Sequence, residues 1–339
     1  MNDNVLLEIK DLKISFALDE GLVQAVQGVS FKVHRGEVLG VVGESGCGKT
    51  VTAQSILQII PTPGRIESGQ ILFRPSSTDA QSGQNGVIDI AKLTPTGRQI
   101  RDIRGKDISM IFQEPMSSFS PVHTIGSQIL EAILLHQDVT KQRAREMTID
   151  LLRLVGIPGA EQRVDNYPHQ FSGGMRQRAM IAMALSCNPS LLIADEPTTA
   201  LDVTIQAQIL DLIRGLQQRI GMAVMFITHN LGVIAQIADT VAIMYLGEVV
   251  EYGPVREILR NPKHPYTADL LRAVPRLGKT MRQRLVAIEG SIPSPFERPS
   301  GCPFHPRCSR YIDERCQQSM PGVTSVDESH SVRCFLYGP

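Results

Sequence analysis

The sequence carries no excess of charge. Its 34 basic and 34 acidic residues cancel over 339 positions, which removes the electrostatic footprint expected of a nucleic-acid binder. Long hydrophobic runs are missing too. Stretches such as MAVMFI fall far short of the roughly 20 apolar residues a bilayer span requires, so any membrane role has to run through partners. The opening MNDNVLLEIKDL places acids early and has no apolar core segment, which predicts no signal peptide. Cysteines are few and uneven: four of the six lie beyond residue 300. With no leader in view, this points to a reducing compartment and against a disulfide framework. Internal repeats, sustained heptads and a basic stripe are also lacking. What remains is a chain that is 42% hydrophobic, enough for one large domain and a smaller one.

Hydrophobic periodicity orders the chain. Residues 5–42 alternate apolar and polar in three runs broken by Gly and charged turns, which predicts three strands. VTAQSILQII is apolar at helical spacing and is expected to end at Pro61 and Pro63. Residues 74–100 read as a polar surface insertion, and Lys106–Gln113 as a strand. Residues 126–187 read as largely helical. SLLIAD and AVMFITH are short, wholly apolar runs, as parallel strands covered on both faces require. The helical patterns TIQAQILDLIRGLQQR and NLGVIAQIA lie between and after them. This alternation predicts an α/β fold.

Residues Gly43, Glu44, Ser45, Gly46, Cys47, Gly48, Lys49 and Thr50 spell G-x-x-x-x-G-K-[ST] between the apolar run EVLGVV and a helix, the context that makes a phosphate loop credible. Glycines let backbone N–H groups curl around β- and γ-phosphates at a helix N-terminus. Lys49 supplies a point charge, and Thr50 a hydroxyl for Mg²⁺. Cys47, a thiol at a helix N-terminus, is expected to be acidified and reactive, so that alkylation blocks ATP binding. Asp195, ending SLLIAD, is placed to support Mg²⁺, and Glu196 to orient a water. Taken alone, the same pair also reads as a helix cap with an early-turn acid. His229 ends the following strand and suits a polar contact to a γ-phosphate.

A second glycine-rich loop, Phe171-Ser172-Gly173-Gly174-Met175, leads straight into another helix and offers a second anion-binding N-terminus. One nucleotide needs one cradle. Two become intelligible if two cassettes meet head to tail, each ATP held between one chain's phosphate loop and the other's Ser-Gly-Gly. With these residues the sequence resembles the ABC ATPase family: GESGCGKT its Walker A, SLLIADE its Walker B with the catalytic glutamate, FSGGM its signature. Ala200-Leu201-Asp202 resembles the D-loop, His229 the switch histidine, and Gln113 in IFQEP the Q-loop, a Mg²⁺ ligand. The signature departs from the usual LSGGQ, with Met175 lacking an amide. The resemblance implies a nucleotide-binding domain over residues 1–260, with a RecA-like core, an antiparallel β subdomain and a helical subdomain at about 114–187. It also implies that Phe16 stacks on adenine, with an ordinary strand-core role as the alternative.

The tail is different in character. Cys302, Cys308, Cys316 and Cys334 lie in a Pro/Gly/Arg-rich stretch with little core-forming pattern, a segment that needs a staple. Four thiolates suit an iron–sulfur cluster or zinc. The absence of C-x-x-C pairs favours iron, His305 is an alternative zinc ligand, and unligated structural thiols remain open. Cys187 reads as helix core. HPYTADLLRAVP followed by this tail resembles the C-terminal region, here residues 261–339, of the ATPase subunits of dipeptide/oligopeptide importers, where four such cysteines go with a 4Fe–4S cluster. That resemblance implies two membrane-spanning permeases, a second ATPase subunit, an extracytoplasmic solute-binding protein, a seat on the cytoplasmic face of the inner membrane and no nucleic acid. The competing readings are a soluble ABC ATPase acting on nucleic acid or the ribosome, and a redox-sensing regulator built on the cysteines.

Overall fold

The computed structural model describes residues 4–75, 86–113, 118–199, 202–273 and 288–338. Its strands are β1 (Val5–Leu18), β2 (Gly21–His34), β3 (Val38–Val42), β4 (Gly64–Phe73), β5 (Ile88–Asp89), β6 (Ile108–Ile111), β7 (Leu191–Asp195), β8 (Ala223–Thr228), β9 (Thr240–Tyr245), β10 (Glu248–Pro254), β11 (Thr324–Ser325) and β12 (Ser331–Val332). The chain divides into two compact units.

The first unit comprises Met1–Leu6, Val33–Glu37 and Phe73–Ile227. Its sheet is parallel, in the order β6-β7-β8, with Ile108 opposite Leu191 and Leu191 opposite Ala223. Every residue of β7 and β8 is buried, as continuous apolar runs in a parallel sheet demand. The helices Ile125–His136, Lys141–Leu154, Gly173–Ala184 and Val203–Ile220 follow local signals. Thr124, Thr140, Ser172 and Asp202 cap their N-termini by accepting first-turn N–H groups, and Gly221, at φ 74°, closes the last one. The expected insertion, residues 74–100, is not merely surface: Ile90 and Ile100 are buried. Residues 76–85 of that stretch lie outside the described residues.

The second unit comprises Leu7–Lys32, Val38–Leu72 and Thr228–Pro339. In it β2, β1 and β4 lie side by side. A further run of strands has the order β11-β12-β10-β9-β3. β3 and β9 are parallel, Leu39 opposite Thr240, and β10 turns back on β9 with an irregularity between Val249 and Glu251. The tail then adds β12 antiparallel to β10, Val332 opposite Glu251. The tail has a core after all. Phe304 is 1% exposed and stacks edge-on against Tyr245 at 5.3 Å, with Tyr266 at 5.4 Å, contacts worth about 0.5–1.5 kcal/mol each beyond burial. The helix Lys49–Ile56 stops earlier than expected. Gln58 takes a left-handed φ of 52°, so the backbone leaves the helix before Pro61 is reached. None of the described helices is long and apolar enough to cross a membrane.

Candidate nucleotide site

The phosphate loop follows β3, five buried residues that deliver it from the interior. Gly46 and Gly48 have φ of 79° and 96°, a conformation L residues resist. A Cβ on Gly43 would lie 2.2 Å from the carbonyl oxygen of Met244, and one on Gly48 2.4 Å from that of Ala25. The loop is therefore a cradle that only glycine permits. No side chain caps the helix Lys49–Ile56, so its N-terminal end is left for another anion. Lys49 is 5% exposed; its ammonium donates to the carbonyls of Gly43 at 2.8 Å and Glu44 at 2.9 Å and faces the Cys47 sulfur at 3.7 Å. Ser45 is exposed and Thr50 half-buried. In the same unit His229 is exposed just beyond β8. Phe16 is half-buried, and a Cβ on Gly64 would lie 2.5 Å from its ring.

Cys47 overturns its expectation. It is 3% exposed, and burial pushes its thiol pKa up despite Lys49 beside it. Helix-end stabilisation of a thiolate loses here to desolvation. The buried thiol is therefore held above its ordinary range, where its helix position predicts acidification.

Within the other unit, Asp195 ends β7 at 1% exposure. Glu196 takes a left-handed φ of 46°, its N–H donating to the Ile227 carbonyl at 2.9 Å. That turn swings the second carboxylate out of the strand. Gln113 Nε2 donates to Glu196 Oε2 at 3.3 Å, and Thr199 Oγ1 donates to the same oxygen at 2.8 Å. One residue from 83 positions away and one from three positions on thus hold one carboxylate. Strain at a non-glycine residue of this kind gathers at functional sites.

The second glycine-rich loop is built differently. Phe171 anchors it at 2% exposure, while Ser172 and Gly173 are exposed. Ser172 Oγ accepts the Met175 N–H at 3.3 Å, and a Cβ on Gly173 would meet nothing within 4 Å. A Cβ on Gly174 would lie 3.2 Å from Ile205. Arg163 approaches the Met175 sulfur at 3.2 Å, a contact no amide is there to make. Asp202 caps the helix Val203–Ile220, Oδ1 accepting from Ile205 N–H at 2.9 Å. The other residues of the expected D-loop, 200 and 201, lie outside the described residues.

In the tail, Cys316 is buried and the other three late cysteines are half-buried. Burial pushes the Cys302 thiol up to about 12, with Cys334, Cys316 and Cys308 adding to the rise. Burial likewise raises Cys308 and Cys334, each with its cysteine neighbours contributing. Two of these cysteines meet through their backbones, the Cys302 N–H donating to the Cys316 carbonyl at 2.9 Å. Backbone N–H groups of Phe304, Arg310 and Leu336 reach the sulfurs of Cys302, Cys308 and Cys334, each two residues on. Among the described residues, however, no group of three or more His, Cys, Asp or Glu side chains is set to hold a metal ion. His305 Nδ1 lies 2.9 Å from the Cys302 carbonyl.

Residues 26–199 match the family model described as "ABC transporter", and residues 250–316 match "Oligopeptide/dipeptide transporter, C-terminal region". The chain belongs to the ABC transporter family. It is 49% identical over 343 residues to a putative peptide import ATP-binding protein of Brucella ovis, covering 99% of this chain and 98% of the relative. The dipeptide transport ATP-binding protein DppD of Bacillus subtilis is 47% identical, covering 98% and 94%. The oligopeptide transport ATP-binding protein OppD of the same organism is also 47% identical, covering 98% and 89%. Among solved structures, a dimeric ATP-binding cassette in a post-hydrolysis state bound to ADP and Pi aligns with a TM-score of 0.62 at 22% identity, over 74% of this chain and 99% of that one. That likeness shows the cassette fold.

In this ABC protein, sequence reasoning missed the residues that brace the phosphate loop. Glu44 donates its backbone N–H to Tyr266 Oη at 3.0 Å, and its carboxylate takes a two-pronged ion pair from Arg307. Glu251, 1% exposed, accepts from the N–H groups of Lys263 and His264 and from His330. His264 Nδ1 in turn accepts the Tyr266 N–H at 3.1 Å. The His-Pro-Tyr run was visible only as a resemblance; its reach back to residue 44 has no local signal.

Proposed function

We propose that this chain is the ATP-hydrolysing motor of a multi-subunit importer of di- or oligopeptides or a related small solute. The observation that carries the reading is the phosphate loop: a glycine-only cradle with an uncapped helix end and a buried lysine, in an ABC chain whose full-length relatives are named peptide import ATP-binding proteins. ATP binds with its phosphates in this cradle. An incoming phosphate oxygen replaces the Cys47 sulfur, the weakest acceptor around Lys49. Thr50, Gln113 and Asp195 are the residues that would hold Mg²⁺, which supplies charge neutralisation when bound. Glu196 orients the attacking water, His229 contacts the γ-phosphate, and Phe16 stacks on adenine. Ser172, Gly173, Gly174 and Met175 serve the ATP of a second ATPase subunit, with Asp202 near that junction.

The cassette of residues 1–260 and its C-terminal extension sit on the cytoplasmic side of the cell membrane, peripheral to two permease subunits and an extracytoplasmic solute-binding protein. In the extension, Cys302, Cys308, Cys316 and Cys334 are the residues that would hold a 4Fe–4S cluster, although their side chains do not converge into a metal-holding group in this structure. The Cys302–Cys316 backbone contact and the N–H groups beside three sulfurs support this, since such hydrogen bonds are what tune cluster sulfurs.

Tagging the chain in its native membranes and identifying what co-purifies tests the assembly. Two multi-span permeases with a second cassette are expected; ribosomes or nucleic acid in a membrane-free preparation would overturn it. Iron and acid-labile sulfide in anaerobic preparations test the cluster, and zinc or no metal would contradict it. Glu196→Gln should keep ATP binding and lower turnover about a thousandfold, while near-normal turnover would remove Glu196 from its role.

A further inference from the structure

Glu44 poses a problem that the ATPase reading leaves unsolved. It is a carboxylate inside the loop that has to accept a polyphosphate, and like charges brought together in a partly dry site repel strongly. The fold answers with a guanidinium drawn from 263 positions away. Arg307 Nη1 donates to Glu44 Oε2 at 2.7 Å and Nη2 to Oε1 at 3.2 Å, the bidentate geometry that fixes orientation as well as charge.

Arg307 is itself held in place. Its side chain is 4% exposed. Nε donates to the Glu289 carbonyl at 3.2 Å, Nη1 lies 3.4 Å from Tyr245 Oη, and the guanidinium sits 5.9 Å from the centroid of the Tyr245 ring. Its backbone ends the short 3₁₀ turn His305–Arg307, between Cys302 and Cys308. Tyr266 adds the second grip, accepting the Glu44 N–H. Both grips come from beyond residue 260, and both close on one residue of the phosphate loop.

We propose that Arg307 is a positioning residue for nucleotide binding: by neutralising and orienting Glu44 it keeps the phosphate loop open to a polyanion, so the cysteine-bearing segment sets the affinity for ATP. Arg307 touches no phosphate in this scheme; it acts through Glu44. The proposal rests on the reading of residues 43–50 as the ATP cradle.

The test is titration of the full-length chain with a fluorescent ATP analogue and Mg²⁺, each variant also being checked by thermal unfolding. Arg307→Ala is expected to weaken binding about tenfold, because a buried-facing carboxylate is left uncompensated beside the phosphates. Glu44→Gln added to it should restore most of the loss, since the repulsion goes with the charge; the two changes are therefore strongly non-additive. Arg307→Lys, which keeps the charge and loses the fork, should fall between, and it carries the test if the alanine variant does not fold. Arg307→Ala binding as tightly as the unaltered chain, or a double variant as weak as Arg307→Ala alone, would overturn the proposal and leave Arg307 a packing residue. Lys49→Ala separates this from the parent reading. If the unaltered chain binds the analogue and Lys49→Ala does not, the cradle stands whatever Arg307 does. If the unaltered chain fails to bind, the ATPase reading falls and takes this proposal with it.

Discussion

The two glycine-rich loops are both helix N-termini and are built in opposite ways. Gly43–Thr50 is enclosed: its lysine is buried, its glycines press on backbone carbonyls, and Tyr266 and Arg307 grip Glu44 from outside the loop. Ser172–Met175 is open: serine and first glycine are exposed, there is free space over Gly173, and the loop is set by one serine cap and the buried Phe171. This difference is what the proposed division of labour requires: a cradle surrounding a ligand is organised in advance on all sides, whereas a loop presenting donors to another chain's ligand would need an anchor behind and nothing in front.

The largest way to break this contrast is at Lys49. Lys49→Ala removes the one cation of the enclosed loop, and nucleotide affinity should fall on the order of a hundredfold or more, read by equilibrium titration. Retained affinity would mean that the cradle is not where ATP sits. Glycines sharpen the comparison next. Gly48→Ala puts a Cβ 2.4 Å from a backbone oxygen at positive φ, and should cost about 2–4 kcal/mol in urea unfolding. Gly173→Ala enters open space at ordinary φ and should change stability by less than about 1 kcal/mol. Equal effects would erase the distinction drawn between the loops.

Acid should act on the brace. His264 is fully buried, and burial lowers its pKa to about 4 even though Glu251 nearby favours the charged form. Below its ordinary value the unfolded chain takes up a proton that the fold refuses until about pH 4. Stability therefore rises with pH across this window and is flat above it; moving from pH 7 to pH 5 should remove about 2 kcal/mol through this group. His264→Asn, which keeps an acceptor for the Tyr266 N–H, should flatten that part of the profile. An unchanged slope would show that His264 takes up its proton near the ordinary value in the folded chain.

Much of this was legible in the chain. The burial of β3, β7 and β8 followed from uninterrupted apolar runs, and the helices after Ser172 and Asp202 from apolar residues at helical spacing, because those signals are local. The end of the Lys49–Ile56 helix was misplaced, since Gln58 adopting a positive φ leaves no trace in composition. Cys47 misled because helix position is visible in sequence and burial is not. The pairing of Glu44 with Arg307, and of β10 with β12, joins residues far apart along the chain. Only three-dimensional packing supplies those links.

The measurement that tests the account most directly is Ser172→Arg, assayed on one preparation for both nucleotide affinity and ATP turnover. If the open loop serves a partner's ATP, the affinity of this chain's own cradle stays within about twofold, while turnover falls on the order of a hundredfold or more as donors to the developing charge are lost. Loss of binding together with turnover, or turnover left intact, would contradict the division of labour between the two loops.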